Sequence, residues 1–567
     1  MLVLLQLLLL LPLPAASPPP LPPCAAGAPR AWPKYHVADW DLQVTNASLC
    51  CFSGHRPPCS GPCAATNPMG GLGAHDVNAL FSYGGLAHLM NQRQMEQSAE
   101  GLAGFSHLVS RDWVRWERLP NALAAGSYDG SATVVPGSGP VIMFDCATKT
   151  CPSGSNLLAP STTTATSGGR HPDDIPVMGV ARPANLSDPT LREWVTAGNN
   201  PIAIDVPGEF VGPSKLWHNS TGAAFVEMNS ENSVIGLFSS VDPQLHSWHL
   251  EDPAWFKTGG GGAVVFLPLP ATVSGDTHSG VNGTNHVCGS CDPSLCFVLG
   301  HFDPNGNQSF TQTIPGLHCT DLGYDMGGYF VYSESGVVPP EAPGHPTASP
   351  GQWGKAKTRF VQQGWIADLA ALTVVRELRF DPVQQSLVSL PVAELASLRG
   401  VSLANFTGRT LAAGQPAIAV VNGSAATVAD LEIDIEMPHG AAPFRMDVGA
   451  LGAHIALACS PASATRPVGG CTLFAPGRGR SKTTRQSYNL GPGEKATSLR
   501  VLVDKVALEV FAGGGRSVAT VATAKGGIDP SSAVISVGVS SGHAAMDLRI
   551  WSMGCGWVAD VQQQQQP

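Results

Sequence analysis

Short apolar segments, separated by clusters of glycine, asparagine, proline and serine, recur along the first 390 residues. Examples are Ser131–Val135, Val141–Asp145, Ala224–Met228 and Cys296–His301. Segments of this length bounded by turn residues are typical of β-strands joined by tight turns. A helical period is missing before residue 390, where Pro391–Leu398 predicts one short helix. The sequence therefore predicts an all-β domain built from repeated hairpins.

The chain beyond residue 400 has a different pattern. In Leu431–Met437, apolar residues alternate strictly with glutamate and aspartate. This alternation predicts a half-buried strand with one face toward the core and the other toward water. Further strands are expected at Leu499–Val503, Val506–Phe511 and Val534–Val539. Together they predict a second β domain, organised as a sandwich.

Composition narrows the class of protein. The chain has 64 glycines and 48 prolines among 567 residues. Together they make up about a fifth of the chain, well above the combined average of about 12%. A hydrophobic content of 43% excludes global disorder. The formal net charge of −10 argues against nucleic acid and anionic membranes as partners, because both are bound through basic surfaces.

The N-terminus predicts export. Met1–Pro12 is an apolar segment that is shorter than the roughly 20 residues needed to span a bilayer, but it suits a secretory signal. Small residues at positions 15–17 offer a cleavage site, so we expect a signal peptide over 1–17 and a Pro-rich spacer over 18–33. A disordered poly-Gln tail is expected over 558–567. After signal cleavage no membrane association is expected.

Cysteines and glycosylation sequons agree with a secretory route, extracellular or vacuolar. The chain has 14 cysteines, and an even number in an exported protein predicts disulfide bonds. Cys288, Cys291 and Cys296 with His286 also have spacing compatible with zinc, although disulfides are the ordinary alternative. The seven sequons are Asn46, Asn185, Asn219, Asn282, Asn307, Asn405 and Asn422.

The most concentrated group of polar residues lies at 74–92. Asp76 and Asn78 precede the predicted strand Leu80–Tyr83, and Gln92 ends the next one. Glycoside hydrolysis needs two carboxyl groups, and a carboxylate on a turn beside a strand can provide one. Asp76 can equally cap the turn through its own backbone. Spacing alone leaves both interpretations open.

This segment resembles the first motif of glycoside hydrolase family 32, the invertase and fructan hydrolase group. That motif is roughly Asn-Asp-Pro-Asn-Gly, an aromatic strand, Gly, His-Leu and Gln. The corresponding residues here are His75-Asp76-Val77-Asn78-Ala79, Phe81, Tyr83, Gly85, His88-Leu89 and Gln92. Further similar segments follow in the family's order: Ser106–Trp116, Gly130–Thr133, Asn185–Pro189, Leu191–Trp194, Arg376–Leu378 and Arg500–Asp504. The collinear order, from about residue 34 to 557, makes the resemblance specific.

The resemblance implies a five-bladed β-propeller over 34–395 and a β-sandwich over 400–557. It also implies a retaining mechanism, in which one Asp attacks the fructosyl carbon and one Glu protonates the leaving oxygen. A further Asp binds the sugar hydroxyls. Asp76 matches the nucleophile, and no cofactor or metal is implied. The implied substrate-binding residues are His75, Asn78, Gln92, Tyr128, Asp129 and Asp325.

Two of the family's three carboxylates have no counterpart. The family's Phe-Arg-Asp-Pro aligns with Phe210–Pro213, which puts Gly212 at the Asp, and its Glu-Cys segment aligns so that the Glu is Gly262. Neighbouring carboxylates offer substitutes, although each is equally compatible with a solvated loop position. For the acid they are Glu251, Asp252 and Asp276, and Asp129 is the other candidate.

Three functions remain open. The first is a secreted β-fructofuranosidase-like hydrolase acting on sucrose or fructans. The second is a relative that binds these sugars without efficient hydrolysis, which the glycine at position 262 favours. The third is a disulfide-rich structural surface protein.

Overall fold

The computed structural model describes a large part of the chain. The described residues are 36, 76–94, 103–124, 126–147, 151–152, 176–204, 210–218, 222–229, 234–257, 264–270, 284–290, 296–302, 308–322, 326–335, 358–366, 371–381, 383–465, 467–476, 483–505, 507–523 and 529–556. The predicted signal peptide, spacer and poly-Gln tail lie outside them. So do His75, Gly262, Asp276 and Asp325.

Five sheets follow one another as propeller blades, and all their strand pairs are antiparallel except one short pair at the outer edge of the third. Blade 1 contains β1 Val77–Tyr83, β2 Leu86–Gln94, β3 Ala103–Ser110 and β4 Trp116–Leu123. Blade 2 contains β5 Ser127–Val135, β6 Gly139–Ala147, β7 Pro176–Pro183 and β8 Trp194–Thr196. Blade 3 contains β9 Ala203–Ile204, β10 Phe210–Val211, β11 Trp217–His218, β12 Ala223–Asn229, β13 Val234–Ser240 and β14 Ser247–Lys257. Blade 4 contains β15 Val264–Pro270, β16 Thr284–Ser290, β17 Cys296–Phe302 and β18 Phe310–Cys319. Blade 5 contains β19 Met326–Ser335, β20 Thr358–Ile366, β21 Ala371–Leu372, β22 Arg376–Asp381 and β23 Ser386–Pro391.

Neighbouring blades pack face to face through large apolar side chains. Between blades 2 and 3, Met143 packs in one cluster with Phe225 and Trp248. Between blades 3 and 4, Val226 packs with Phe266. Strand β12 is buried on both faces, which explains why its sequence is apolar almost throughout.

In blades 1, 2, 4 and 5 the first strand lies at the inner edge of its sheet and faces the propeller axis. Strand β1 packs beside β5 and β19, and β15 packs beside β19. In blade 3 this position is shared by β10 and β11, which residues 212–216 separate. The starts of these inner strands therefore converge at one end of the axis. The strands paired with them end at the same place.

A sandwich of two six-stranded sheets follows the blades. A 3-10 helix at Ala393–Leu398 connects the units, within the segment predicted as a short helix, and a second lies at Gly423–Thr427. One sheet contains β24 Arg399–Ala412, β26 Val428–Glu436, β31 Ala496–Asp504, β32 Ala507–Ala512, β33 Ser517–Ala522 and β35 His543–Met553. The other contains β25 Ile418–Asn422, β27 Phe444–Ala450, β28 Ala453–Ser460, β29 Gly470–Pro476, β30 Thr483–Asn489 and β34 Val534–Ser541.

The prediction that the acidic face of Leu431–Met437 is solvated is wrong for its first half. Glu432 is 4% exposed, and Asp430, which precedes the segment on the same face of the strand, is fully buried. Burial favours a raised pKa, but Arg500 and Arg399 outweigh it and hold the pKa of Asp430 below its ordinary value. This sheet is covered on one face by the sandwich core and on the other by blade 1. The alternation of residues along one strand cannot show that blade 1 covers the second face.

Disulfide bonds are present, as the cysteine count predicts. Cys146 is bonded to Cys151, Cys296 to Cys319, and Cys459 to Cys471. The bond to Cys319 occupies the Cys296 sulfur, which argues against the zinc hypothesis.

A buried ionic cluster joins the N-terminal segment, blade 5 and the sandwich. His36 Nδ1 lies 2.9 Å from Asp504 Oδ2, and its Nε2 lies 2.7 Å from Glu509 Oε1. Arg376 Nε donates to Glu509 Oε2 at 2.8 Å, and Nη1 donates to Asp321 Oδ2 at 2.6 Å. Burial lowers the pKa of His36, but hydrogen bonds to Asp504 and Glu509 outweigh burial and raise it to about 9.

This cluster predicts a loss of stability at alkaline pH. The folded-state pKa of His36 lies above the unfolded value of 6.5, so its contribution is complete below pH 6.5 and disappears as the pH rises through about 9. The shift corresponds to a contribution on the order of 3 kcal/mol. In denaturant titrations at several pH values, His36→Gln should lower the free energy of unfolding at pH 6 and flatten its decline toward pH 9.

The control is His439→Gln, because His439 is exposed on the sandwich. It should leave the pH profile unchanged. An equal effect of the two substitutions would contradict the assignment to His36.

Candidate functional site

The start of blade 1 brings three predicted residues together. Gln92 N donates to the backbone oxygen of Asp76 at 2.7 Å, which places the two residues side by side. A bulge between Val77 and Ala79 lets Asn78 turn inward, where it is buried. Its Nδ2 donates to the backbone oxygen of Tyr128 at 3.3 Å. Blades 1 and 2 therefore begin at the same end of the axis.

Tyr128 and Asp129 lie in a second irregularity of an inner strand. The pairing of β5 with β6 shifts between Ser127 and Gly130, which are the residues on either side. Both Tyr128 and Asp129 are partly buried. The predicted residues Asp76, Asn78, Gln92, Tyr128 and Asp129 thus converge, whereas His75 and Asp325 lie outside the described residues.

Gly212 is buried at the same end of the propeller. Its φ is +72°, a conformation that favours glycine. Its backbone nitrogen donates to Asp145 Oδ2 at 2.7 Å, so a carboxylate of blade 2 lies at this position. Asp145 was not among the predicted site residues, although an acidic residue that ends an apolar strand could have indicated it.

Glu251 and Asp252 lie far from the inner strands. They are exposed on β14, with β12 and β13 between that strand and β10. Glu251 accepts a hydrogen bond from Ser239, and Asp252 Oδ1 accepts one from Ala254 N at 2.9 Å. The structure therefore does not bring these two suggested acids to the axis.

Three buried side-chain oxygens at this end of blades 1, 2 and 3 have no hydrogen-bond partner among the described residues. They are Gln92 Oε1, Ser127 Oγ and Glu227 Oε1. An unpaired buried oxygen costs about 1–3 kcal/mol, so each is expected to have a role. Sugar hydroxyls could satisfy such groups.

Glu227 is the most unusual of these residues, and the sequence did not indicate it. Its side chain is 2% exposed, and burial raises its pKa to about 8. It is therefore mostly protonated at neutral pH. Its only sequence signature is a single acidic residue within the otherwise apolar strand Ala223–Asn229.

Comparison with known proteins decides the family. Residues 73–391 match the profile described as glycosyl hydrolases family 32 N-terminal domain. The chain belongs to glycosyl hydrolase family 32.

Individual relatives in this family are distant. The chain is 25% identical to a carrot β-fructofuranosidase, insoluble isoenzyme 2, over 58% of its own length and 54% of the relative's. It is also 25% identical to a vacuolar acid β-fructofuranosidase 1 of a rose cultivar, over 64% of this chain and 60% of the relative. These alignments thus span less than two thirds of either relative.

The structural likeness is more extensive. The crystal structure of fructan 1-exohydrolase IIa from chicory has a TM-score of 0.66 and 19% identity, and the match covers 94% of this chain and 99% of that one. A complex of a variant of that enzyme with 1-kestose gives the same TM-score at 20% identity, covering 93% and 99%. The fold prediction, an all-β five-bladed propeller followed by a sandwich, is confirmed.

Within the described part of the chain, none of the helices has the length and apolar character needed to cross a bilayer.

The unpaired oxygen of Gln92 generates a prediction about affinity. Gln92→Leu should weaken fructoside binding by about 1–3 kcal/mol, roughly 5- to 150-fold, because a ligand hydroxyl would lose its partner. The melting temperature should not fall, since Oε1 has no partner among the described residues. Calorimetric titration with 1-kestose measures the change.

The matched control is Gln244→Leu on the exposed turn before β14. It should leave the affinity unchanged. If Gln92→Leu binds as tightly as this control, Gln92 lies outside the sugar site.

Proposed function

We propose that this protein is a β-fructofuranosidase-like glycosidase that acts on sucrose or short fructans with Asp76 as the nucleophile. The observation that carries the proposal is the convergence of Asp76, Asn78 and Gln92 at the axial end of blades 1 and 2. Family membership supports a glycosidase. Relatives named β-fructofuranosidases and the 1-kestose complex of the chicory enzyme support fructosides as substrates.

The proposed reaction retains configuration at the fructosyl carbon. A carboxylate oxygen of Asp76 bonds to that carbon while the glycosidic bond breaks, and the leaving oxygen takes the bond's electron pair and a proton from an acid. Water then attacks the fructosyl–Asp76 ester and gives its proton to the same group, now a base. Fructose leaves, and both carboxyl groups return to their initial states. His75, Asn78, Tyr128, Asp129 and Asp325 are proposed to position the sugar hydroxyls.

A binding function is the second candidate. It is favoured by the glycine at position 262, which provides no side chain where the family has its acid glutamate. A protein that lacks a positioned acid loses a contribution of about 10²–10⁴-fold in rate. It could then hold a fructoside without cutting it.

One experiment separates the two candidates. The purified protein is incubated with sucrose and with 1-kestose, free fructose is assayed, and binding is measured by calorimetry. We expect release of fructose from at least one of these sugars. Asp76→Asn should abolish release and retain binding, because the amide keeps the shape of the site but is not a nucleophile.

Glu251→Gln is the control, because Glu251 lies on the outer strand β14. It should retain wild-type turnover. Binding without fructose release by the wild-type protein would favour the sugar-binding alternative, and absence of both would reject the proposal.

We also propose a secretory address, extracellular or vacuolar. The apolar N-terminus, the disulfides and the seven sequons support it, as does the vacuolar rose relative. When the chain is expressed in a eukaryotic host, the mature protein should begin near residue 18 and shift in mass after deglycosylation. An unprocessed, unglycosylated chain would contradict this.

A further inference from the structure

In blades 1, 2 and 3, the strand paired with the inner strand brings one polar side chain to the same end of the axis. In blade 1 this residue is Gln92, beside Asp76. In blade 2 it is Asp145, whose neighbour Cys146 pairs with Ser127 at the start of β5. In blade 3 it is Glu227, near the end of β12. Asp145 and Glu227 therefore occupy places in their blades comparable to that of a predicted substrate-binding residue.

Glu227 lies against the part of the inner strand that contains Gly212. Val211 pairs with Met228, and Ser214 N donates to the backbone oxygen of Val226 at 2.9 Å. Glu227 lies between Val226 and Met228. It is therefore directly across from Gly212, the residue that follows Val211. Because Gly212 has no side chain, the inner chain presents only backbone to Glu227 at this position.

The opposite neighbour of Glu227 is also a glycine. Gly236 is its partner on β13. A Cβ atom at position 236 would lie 2.5 Å from Phe210 Cε1, so the ring of Phe210 packs over Gly236. Glycines thus flank the carboxyl group on both strands, and the Phe210 ring encloses it from the β13 side.

Two charged residues lie on the segments next to Glu227, namely Asp145 and Lys215. Glu227 shares its face of β12 with Phe225, which packs toward blade 2. From that blade Asp145 reaches Gly212 N, beside Glu227. Lys215 lies in the segment between β10 and β11, and burial lowers its pKa to about 8. The burial of Glu227 and the Asp145 carboxylate beside Gly212 N both favour the protonated acid.

An unpaired carboxylic acid that stays protonated at neutral pH is suited to give up a proton. Glu227 Oε1 has no hydrogen-bond partner among the described residues, so this oxygen is available to a ligand. General acids of glycosidases require a raised pKa. The burial of Glu227 gives it one.

We propose that Glu227 is the proton donor of the hydrolysis, replacing the carboxyl group missing at position 262. This inference rests on the proposed fructosidase function. In the first step the Glu227 proton passes to the glycosidic oxygen as the bond from that oxygen to the fructosyl carbon breaks and Asp76 bonds to the carbon. In the second step the Glu227 carboxylate takes a proton from the water that displaces Asp76.

The test uses Glu227→Gln and two substrates, sucrose and an aryl fructoside with an acidic phenol. Turnover of sucrose should fall about 10²–10⁴-fold. The aryl fructoside should react much faster than sucrose, because its leaving group needs no proton. Azide, which attacks without base assistance, should accelerate the second step in this variant and form fructosyl azide. The melting temperature should stay equal or rise, since the substitution removes a buried carboxyl group.

Glu251→Gln is again the control and should behave as wild type on both substrates. If Glu227→Gln does not fold, Glu227→Asp keeps an acid but withdraws it by one methylene, and it should show the same substrate dependence. A wild-type ratio of sucrose to aryl fructoside turnover in the folded variant would overturn the role of Glu227 and leave the proposed function intact. A wild-type protein that cleaves neither substrate would overturn both.

Discussion

The contact between Arg376 and Glu509 is the interaction on which the arrangement of the two units depends. Both side chains are fully buried, one in the last blade and the other in the sandwich. An unpaired ion at such a depth is strongly unfavourable, and removing one partner of a buried pair typically costs about 3–5 kcal/mol. His36, Asp321 and Thr520 make further hydrogen bonds to this pair. Blade 5 is thereby held against the sandwich and, through β19, against blade 1.

A fixed fifth blade determines the geometry at the axis. The inner strands β1 and β19 lie side by side, so the position of β19 limits the position of Asp76. The irregularities at Asn78 and at Ser127–Gly130 then turn polar side chains inward at the strand starts. The regular strands provide rigidity, and the few irregular positions provide the chemistry.

Much of the fold could be predicted from the sequence, because strand length and turn composition are local properties. The positions of Asp76, Asn78 and Gln92 could also be predicted, since one contiguous motif contains them. Glu227 could not, because its neighbours in sequence are apolar. Asp145 carries only the weak signal of an acidic residue that ends an apolar strand, and the meeting of two blades brings both residues beside Gly212. The predicted solvation of Glu432 failed for a related reason. Local alternation cannot reveal that another unit covers a face that would otherwise contact water.

The doubly covered sandwich sheet makes the two units one cooperative body. Main-chain hydrogen bonds cross from one unit to the other at Trp116–Gly556, Leu322–Val518 and Ser389–Gly515. Apolar residues of the sheet, including Phe511 and Val518, belong to the same cluster as Trp113 of blade 1. A chain cut after the 3-10 helix at Ala393–Leu398 would expose these tryptophan-lined surfaces and leave backbone groups without partners. Although the sequence pattern changes at this helix, it is not a place where the molecule can be divided into two independent proteins.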